Sequence, residues 1–261
     1  MSSAADLVAL QRALYTSRNP TRRYLHCARR DWVRSEISSA AEISPAHYAL
    51  EVGPGSGIYL SSLAQVADRV VAIDVEPSYL QAAALLTDNF ASDSPISCVQ
   101  GNLSSGVLAE GSIDLILCSE VIEHVEDSAS LIAVMAKTLK PQGTLILTTP
   151  QPYSPVELLG KIAFLPGILQ LLRLIYREPI EPTGHINVLS TAQLKAQIAS
   201  ADLVVVKEER LGFYLPVIAE FGGRWGQGLL VAIDRAIQNS RFQGLLWTQC
   251  FVLRKPGSSP P

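Results

Sequence analysis

The sequence predicts an α/β protein, a mostly parallel sheet with helices on both faces. Three observations lead there. From Tyr48 onward, short apolar runs alternate with segments of helical spacing; the first run stops at an acid and crosses three alternate glycines; and the second run also closes on a carboxylate. With 261 residues and 48% hydrophobic content the chain has ample material for a core, as one large domain or two small ones.

Residues 4–16 and 21–38 have helical spacing, with Asn19-Pro20 between them. In the second segment Leu25, Ala28 and Trp32 make an apolar stripe, while Arg22, His26, Arg29 and Arg30 lie towards other faces. The net charge of −3 gives no global case for a nucleic-acid partner, but it is unevenly spread: residues 18–34 hold six arginines against Asp31 alone. A basic helical cap of this kind could cover a ligand and present arginines to an anionic substrate or an acidic lipid; the plainer reading is a solvated charged face. The first residues lack a basic start followed by an apolar core, and no uncharged run reaches ~18–20 residues, so neither a signal peptide nor a membrane span is expected. Cys27, Cys98, Cys118 and Cys250 are far apart and form no C-x-x-C pair. Three of them sit in apolar or strand-like surroundings, which reads as buried thiols of a reducing, cytoplasmic compartment.

The first strand, about 48–52, runs into Gly53, Gly55 and Gly57, a tight turn that opens a helix at about 57–67. Glycine lets a ligand come close to the backbone, and the free N–H groups of a helix start point at it. The dinucleotide spacing G-x-G-x-x-G would need glycine at 58, where the chain has Ile58. Here the pattern is E-x-G-x-G-x-G, and Glu51 would repel a pyrophosphate but suits a ligand carrying an amine or a sulfonium. The second strand, 69–74, ends in Asp74, placed to accept bonds from ribose hydroxyls, or else to serve the turn before the helix that Pro77 starts. A short third strand, 97–100, leads to Gly101-Asn102-Leu103.

The fourth strand, 112–118, is followed by Ser119-Glu-Val-Ile-Glu-His124. A helix with Leu131, Met135 and Leu139 inward is expected to end at Pro141 and Gly143, before a fifth strand at 144–149. Ser190 with Gln193 spells a capping box, and Leu189 with Leu194 a hydrophobic staple, for the next helix. A sixth strand at 202–209, an insertion at 211–243 with helical spacing over 229–237, and a last strand at 245–253 complete the chain. Residues 1–46 thus read as an N-terminal helical cap and 47–256 as the main domain, with insertions at 151–188 and 211–243 and a disordered tail at 257–261. The insertion after strand five is mostly apolar over 156–176, two short pieces that suit a lid over an apolar substrate, a membrane-surface contact, or ordinary packing of a subdomain.

Four sites at consecutive strand ends, Glu51 with its glycines, Asp74, Asn102 and Ser119–His124, together resemble the class I S-adenosylmethionine-dependent methyltransferases. The run Asp114-Leu-Ile-Leu-Cys-Ser-Glu-Val-Ile-Glu-His-Val125 is similar to the ubiquinone-biosynthesis and related small-molecule members. The resemblance covers about 47–150 closely and 185–256 in outline. It implies a Rossmann-like seven-stranded sheet with an N-terminal helical cap and helical insertions after strands five and six, and S-adenosyl-L-methionine as cofactor. Gly53, Gly55 and Gly57 would cradle the methionine portion, Glu51 would orient the turn and the amine, Asp74 would hold the ribose, and Asn102 with Leu103 the adenine. Asn102 departs from the acid common at that position. Ser119 to His124 would lie beside the sulfonium and the acceptor, a small and apolar or lipid-like molecule. His124, or His185 at the close of the insertion, is the expected base. Two other readings share these letters: a non-catalytic cofactor-binding module, and an RNA-end methyltransferase that holds a metal with Glu120, Glu123 and His124. The second family carries a further histidine where this chain has Val125, so no metal is expected.

Overall fold

The computed structural model describes residues 4–17, 19–87, 95–158, 184–238 and 240–257. The chain opens with α1 (Ala4–Thr16) and α2 (Pro20–Ile43). Asn19 caps α2 through Oδ1, which accepts from the Thr21 and Arg22 N–H groups at 2.9 and 3.1 Å, and Pro20 supplies the preset first helical turn. Then follow β1 (Ala46–Val52), α3 (Leu60–Ala64), β2 (Ala67–Asp74), α4 (Pro77–Thr87), β3 (Ile96–Gln100), β4 (Ile113–Ser119), α5 (Ser128–Thr138), β5 (Leu139–Pro150), α6 (Thr191–Ser200), β6 (Val204–Leu211), α7 (Pro216–Phe221), α8 (Gly223–Ile237) and β7 (Thr248–Arg254).

Among the described residues the strands form one seven-stranded sheet in the order β3-β2-β1-β4-β5-β7-β6. The pairs from β3 to β5 are parallel, and β7 is antiparallel to both β5 and β6. Apolar side chains cover both faces, as a sheet between two helical layers requires. On β4, Ile116 and Cys118 join Ile132, Met135, Leu145, Leu194 and Phe251 on one side. Leu115 and Leu117 join Trp32, Ile37, Leu63, Val70 and Ile146 on the other. This is the expected fold, with the helical cap packed on the second layer.

Several local expectations are corrected. Helix α3 is five residues instead of a run over 57–67, because Gly57 has φ +79° and the chain stays in turns until Leu60. Leu139 does not close α5 but begins β5, and Pro141 and Gly143 lie within that strand, beside Gln142 at φ +66°. Strand β6 sits two residues later than expected, and β7 starts three residues later and ends one later, with a 3-10 turn at Gln243–Leu245 before it. The capping box on α6 is present as expected, and Leu189 and Leu194 are both buried in the same cluster. No cysteine forms a disulfide, but only Cys118 and Cys250 are buried; Cys98 is exposed and Cys27 half-buried. The apolar stretch expected at 156–176 and the tail at 257–261 fall largely outside the described residues. No helix among those described is long and apolar enough to cross a membrane.

Candidate active site

The parallel register sets the carboxyl ends of β3, β2, β1 and β4 side by side, since Asp74 pairs with Gln100, Glu51 with Ala72 and Val52 with Cys118. Asn102, Asp74, the glycine turn and Ser119 therefore share one edge of the sheet, spread over three strand spacings or about 14 Å. That length suits an extended ligand with a base, a sugar and an amino-acid tail.

The turn after β1 is shaped by Gly53, Gly55 and Gly57, whose φ values of +65°, +55° and +79° are costly for any residue with a Cβ. A Cβ on Gly53 would stand 2.6 Å from Val121 Cγ2, and one on Gly57 would stand 3.0 Å from the Ala83 backbone of α4. Gly53 N–H donates to Ile73 O at 2.9 Å, fixing the turn to β2. Glu51 is only 2% exposed, and its Oε2 has no hydrogen-bond partner. Burial alone pushes its carboxyl well above the usual range, and a cation beside it would favour the charged form. Asp74 Oδ1 accepts from Glu76 N–H at 2.9 Å, and burial raises its carboxyl as well. Asn102 is exposed, and its Oδ1 caps the 3-10 turn Leu103–Ser105 by accepting from Ser104 N–H at 2.9 Å. One lone pair of that amide is thus used by the turn, and Leu103 places its side chain in the core.

Beyond β4 the site is made by side chains from distant parts of the chain. Glu120 has φ +58°, a strained conformation for a residue with a Cβ, and its carboxylate is held from two sides. Arg29 Nη1 donates to Oε2 at 2.6 Å and Thr148 Oγ1 donates to Oε1 at 3.1 Å. A carboxylate only accepts, so the Thr148 proton goes to Glu120, and Ser119 Oγ, 2.9 Å from Thr148 Oγ1, is the donor in that pair. Arg29 is buried on α2 and stands 5.8 Å from the centre of the Trp247 ring. Burial is the largest single influence and opposes its charge, but Glu120 with Tyr59, Tyr15 and Glu123 together outweigh it and raise its pKa. His26, also on α2, packs edge-on between Tyr15 and Trp247, and burial, then repulsion by Arg29 and Arg22, lowers its pKa to about 3. The expectation of α2 polar residues on faces away from the core therefore fails for these two, which point into the molecule.

His124 and His185 come together with ring centroids 5.2 Å apart. The backbone that carries His185 is tied to Glu123, whose carbonyl accepts from the Ile186 and Asn187 N–H groups at 2.9 and 3.0 Å. His124 Nδ1 is 3.1 Å from Gly184 O, and His185 Nδ1 lies 3.2 and 3.3 Å from the two Glu157 oxygens. Both partners are acceptors, so each Nδ1 carries a proton. His124 is 44% exposed and His185 11%, so the second ring is the more sheltered. Glu123 is buried, accepts from Thr149 Oγ1 at 3.0 Å, and leaves Oε1 unpartnered; burial, then Glu120, raises its carboxyl well above the usual range. Ligand atoms of Glu123, His124 and His185 lie within 4.8 Å of one another. Glu120 is not one of this group, being engaged by Arg29.

Buried polar atoms without partners collect around this edge: Glu51 Oε2, Tyr59 Oη, Arg29 Nε and Glu123 Oε1. Such atoms are uncommon in folded proteins unless a ligand completes them. Tyr59, Glu157 and Gln11 were not singled out from the sequence, and Arg29 was named only as one of the basic cluster on the second helix. Gln11 of α1 reaches the glycine turn, where its Oε1 accepts from Ser56 N–H at 2.8 Å. No local motif gives any of the four its role; the basic cluster around Arg29 and the position of Tyr59 in the glycine turn were the available signals.

Residues 50–147 match the family described as a methyltransferase domain. Among curated relatives, the ubiquinone biosynthesis O-methyltransferase of Xanthomonas campestris pv. campestris (strain B100) is 30% identical over 179 residues, 66% of this chain and 72% of that protein. Among solved structures, the N-methyltransferase NodS from Bradyrhizobium japonicum WM9, in complex with S-adenosyl-L-homocysteine, superposes with a TM-score of 0.57 at 17% identity, covering 97% of this chain and 96% of that one. The [4+2]-cyclase SpnF gives a TM-score of 0.59 at 15% identity over 87% and 81% of the two chains, so the shared fold by itself does not fix the reaction. The glycine turn, the unpartnered buried acid and the row of polar groups along the strand ends fit S-adenosylmethionine in shape and charge. The chain belongs to the class I S-adenosylmethionine-dependent methyltransferases.

Proposed function

We propose that the enzyme methylates an oxygen of a small apolar or lipid-like acceptor, with His185 as the base. The observation that carries this is the His185–Glu157 pair beside His124 at the end of β4. When bound, S-adenosylmethionine supplies a methyl group already activated on a sulfonium. Glu51, the glycine turn, Asp74, Asn102 and Leu103 would hold it, leaving the Ser119–His124 side for the acceptor. His185 Nε2 takes the hydroxyl proton as the acceptor oxygen bonds to the methyl carbon and the carbon–sulfur bond breaks. Glu157 then faces the imidazolium across Nδ1–H and stabilises it, while the rigid placement of both partners supplies most of the acceleration. The apolar character of the acceptor is supported by the ubiquinone-pathway relative and by the apolar sequence at 156–176.

The test is to incubate the protein with methyl-labelled S-adenosylmethionine and a cell extract split into organic-soluble and aqueous fractions, and to identify products by mass spectrometry. Label in an organic-soluble methyl ether, reduced roughly 100-fold or more in kcat by His185→Gln with cofactor affinity kept, is the expected result. Label confined to the aqueous fraction would overturn the acceptor class.

A second reading is favoured by the grouping of Glu123, His124 and His185, a ligand set suited to a divalent metal that would hold the acceptor oxygen. Full turnover by chelator-treated protein in metal-free buffer would exclude it.

A further inference from the structure

Strand β7 carries a glutamine in a row of apolar side chains. Gln249, Phe251 and Leu253 alternate along the strand and so share a face, and all three are fully buried; Phe251 and Leu253 pack in one cluster with Leu189 and Leu194. A buried amide is costly unless its bonding groups are used. Those of Gln249 are used: Nε2 donates to Pro150 O at 3.2 Å and to Leu189 O at 2.9 Å, and Oε1 accepts from Thr191 Oγ1 at 2.6 Å. Both partners of Nε2 are carbonyl oxygens, which fixes the orientation of the amide. Thr191 Oγ1 in turn accepts from Arg210 Nη2 at 2.9 Å, and Arg210 is held by Glu208.

The two carbonyls mark where the chain leaves the sheet and where it returns. Pro150 is the last residue of β5, and Leu189 immediately precedes Ser190, the cap of α6. Glu157 lies shortly beyond the first point and His185 shortly before the second; they are 28 residues apart in sequence, yet His185 Nδ1 is 3.2 and 3.3 Å from the two Glu157 oxygens. Bringing such distant residues together costs conformational entropy, and an amide that bonds both flanking carbonyls offsets part of it. Trp247, just before β7, adds to the same seam: its carbonyl accepts from Gln151 N–H at 2.8 Å, and its Nε1–H donates to Glu157 Oε1 at 3.3 Å. Asn187 Nδ2, which donates to Val125 O at 3.1 Å and Ser128 Oγ at 2.9 Å, fixes the His185 stretch towards His124. Gln249 fixes it towards Glu157.

We propose that Gln249 is a positioning residue for methyl transfer, joining the backbone that carries Glu157 to the backbone that carries His185. Both of its amide N–H groups are engaged in the core, so it acts through the His185–Glu157 pair, and the proposal rests on the reading of His185 as the base. Displacing a catalytic group by about 1 Å costs up to ~100-fold in rate, which sets the size of effect to look for.

Gln249→Met, His185→Gln and the two combined test this, by the initial rate of label transfer from methyl-labelled S-adenosylmethionine into the organic-soluble fraction of a cell extract. Methionine is close to glutamine in volume and bonds neither carbonyl. Gln249→Met is expected to lower the rate roughly tenfold to a hundredfold, with native cofactor affinity by calorimetry showing that it folds. In the His185→Gln background the same change should cost about twofold at most, because the group it positions is gone. A slowly exchanging proton NMR signal from His185 Nδ1–H, identified by its absence from His185→Gln, should be present in the native protein and lost from Gln249→Met. Thr191→Val removes the donor to Gln249 Oε1 while leaving the amide in place; it should move rate and signal the same way by less, and it decides the matter if Gln249→Met does not fold. A rate loss in His185→Gln with native rate and signal in Gln249→Met, or in Thr191→Val if only that variant folds, would overturn the proposal alone. So would an equal fold-loss from Gln249→Met in both backgrounds. A native rate in His185→Gln would overturn the base reading and the proposal with it.

Discussion

The two halves of the crevice are made in different ways. Towards β1, β2 and β3 it is backbone: three glycines at positive φ, strand ends, and carboxyl or amide groups a few residues from the turns they serve. Towards β4 and β5 it is side chains from far apart, with Arg29 and Glu120 separated by 91 residues and His124 and Gly184 by 60. The first half is set by local sequence and suits a ligand common to many enzymes. The second depends on how α2 and the close of the 151–188 insertion pack, and on the proposed reading it is where acceptor choice can vary without disturbing the cofactor.

Removing one side of the Arg29–Glu120 pair should have the largest effect. Arg29→Met leaves a largely buried carboxylate on a strained residue and is expected to cost about 3 kcal/mol in urea unfolding. Arg29→Met combined with Glu120→Gln should recover most of that stability. A single variant as stable as the native protein would break the comparison, because long-range pairing would then not be what builds this half.

A smaller effect is expected from pH. His26 is buried neutral with a folded pKa of about 3 against 6.5 in the unfolded chain. Protons therefore favour the unfolded state: the stability that His26 contributes is full above pH 6.5 and is lost as pH falls towards about 3. Between pH 6.5 and about 5 the loss is about 2 kcal/mol. His26→Phe keeps the ring packed against Tyr15 and Trp247 but cannot titrate, so its unfolding midpoint should fall less over that interval. Parallel pH profiles for the two proteins would show that His26 is solvated.

The same division explains what was legible in the sequence. Alternating apolar runs gave the seven strands, and the E-x-G-x-G-x-G turn with Asp74 marked the cofactor edge, because these are patterns of neighbouring residues. Helix α3 was drawn too long because helical spacing continues through Gly57, whereas φ +79° there does not. Leu139 was read as the end of a helix because its apolar side chain suits a helix stripe and a strand equally. Arg29 and His26 were placed on outward faces of α2 because charge argues for water; only the approach of Glu120 and Trp247 in space makes their burial stable. Glu157 carried no signal at all, since its partner His185 is 28 residues away.

Calorimetric titration with S-adenosylmethionine, paired with a methyl-transfer assay, tests the division most directly. Asp74→Ala is expected to weaken cofactor binding roughly tenfold or more, whereas Arg29→Met/Glu120→Gln should bind it as the native protein does while losing methyl transfer. Native cofactor affinity in Asp74→Ala, or loss of cofactor binding in the Arg29→Met/Glu120→Gln protein, would contradict the account.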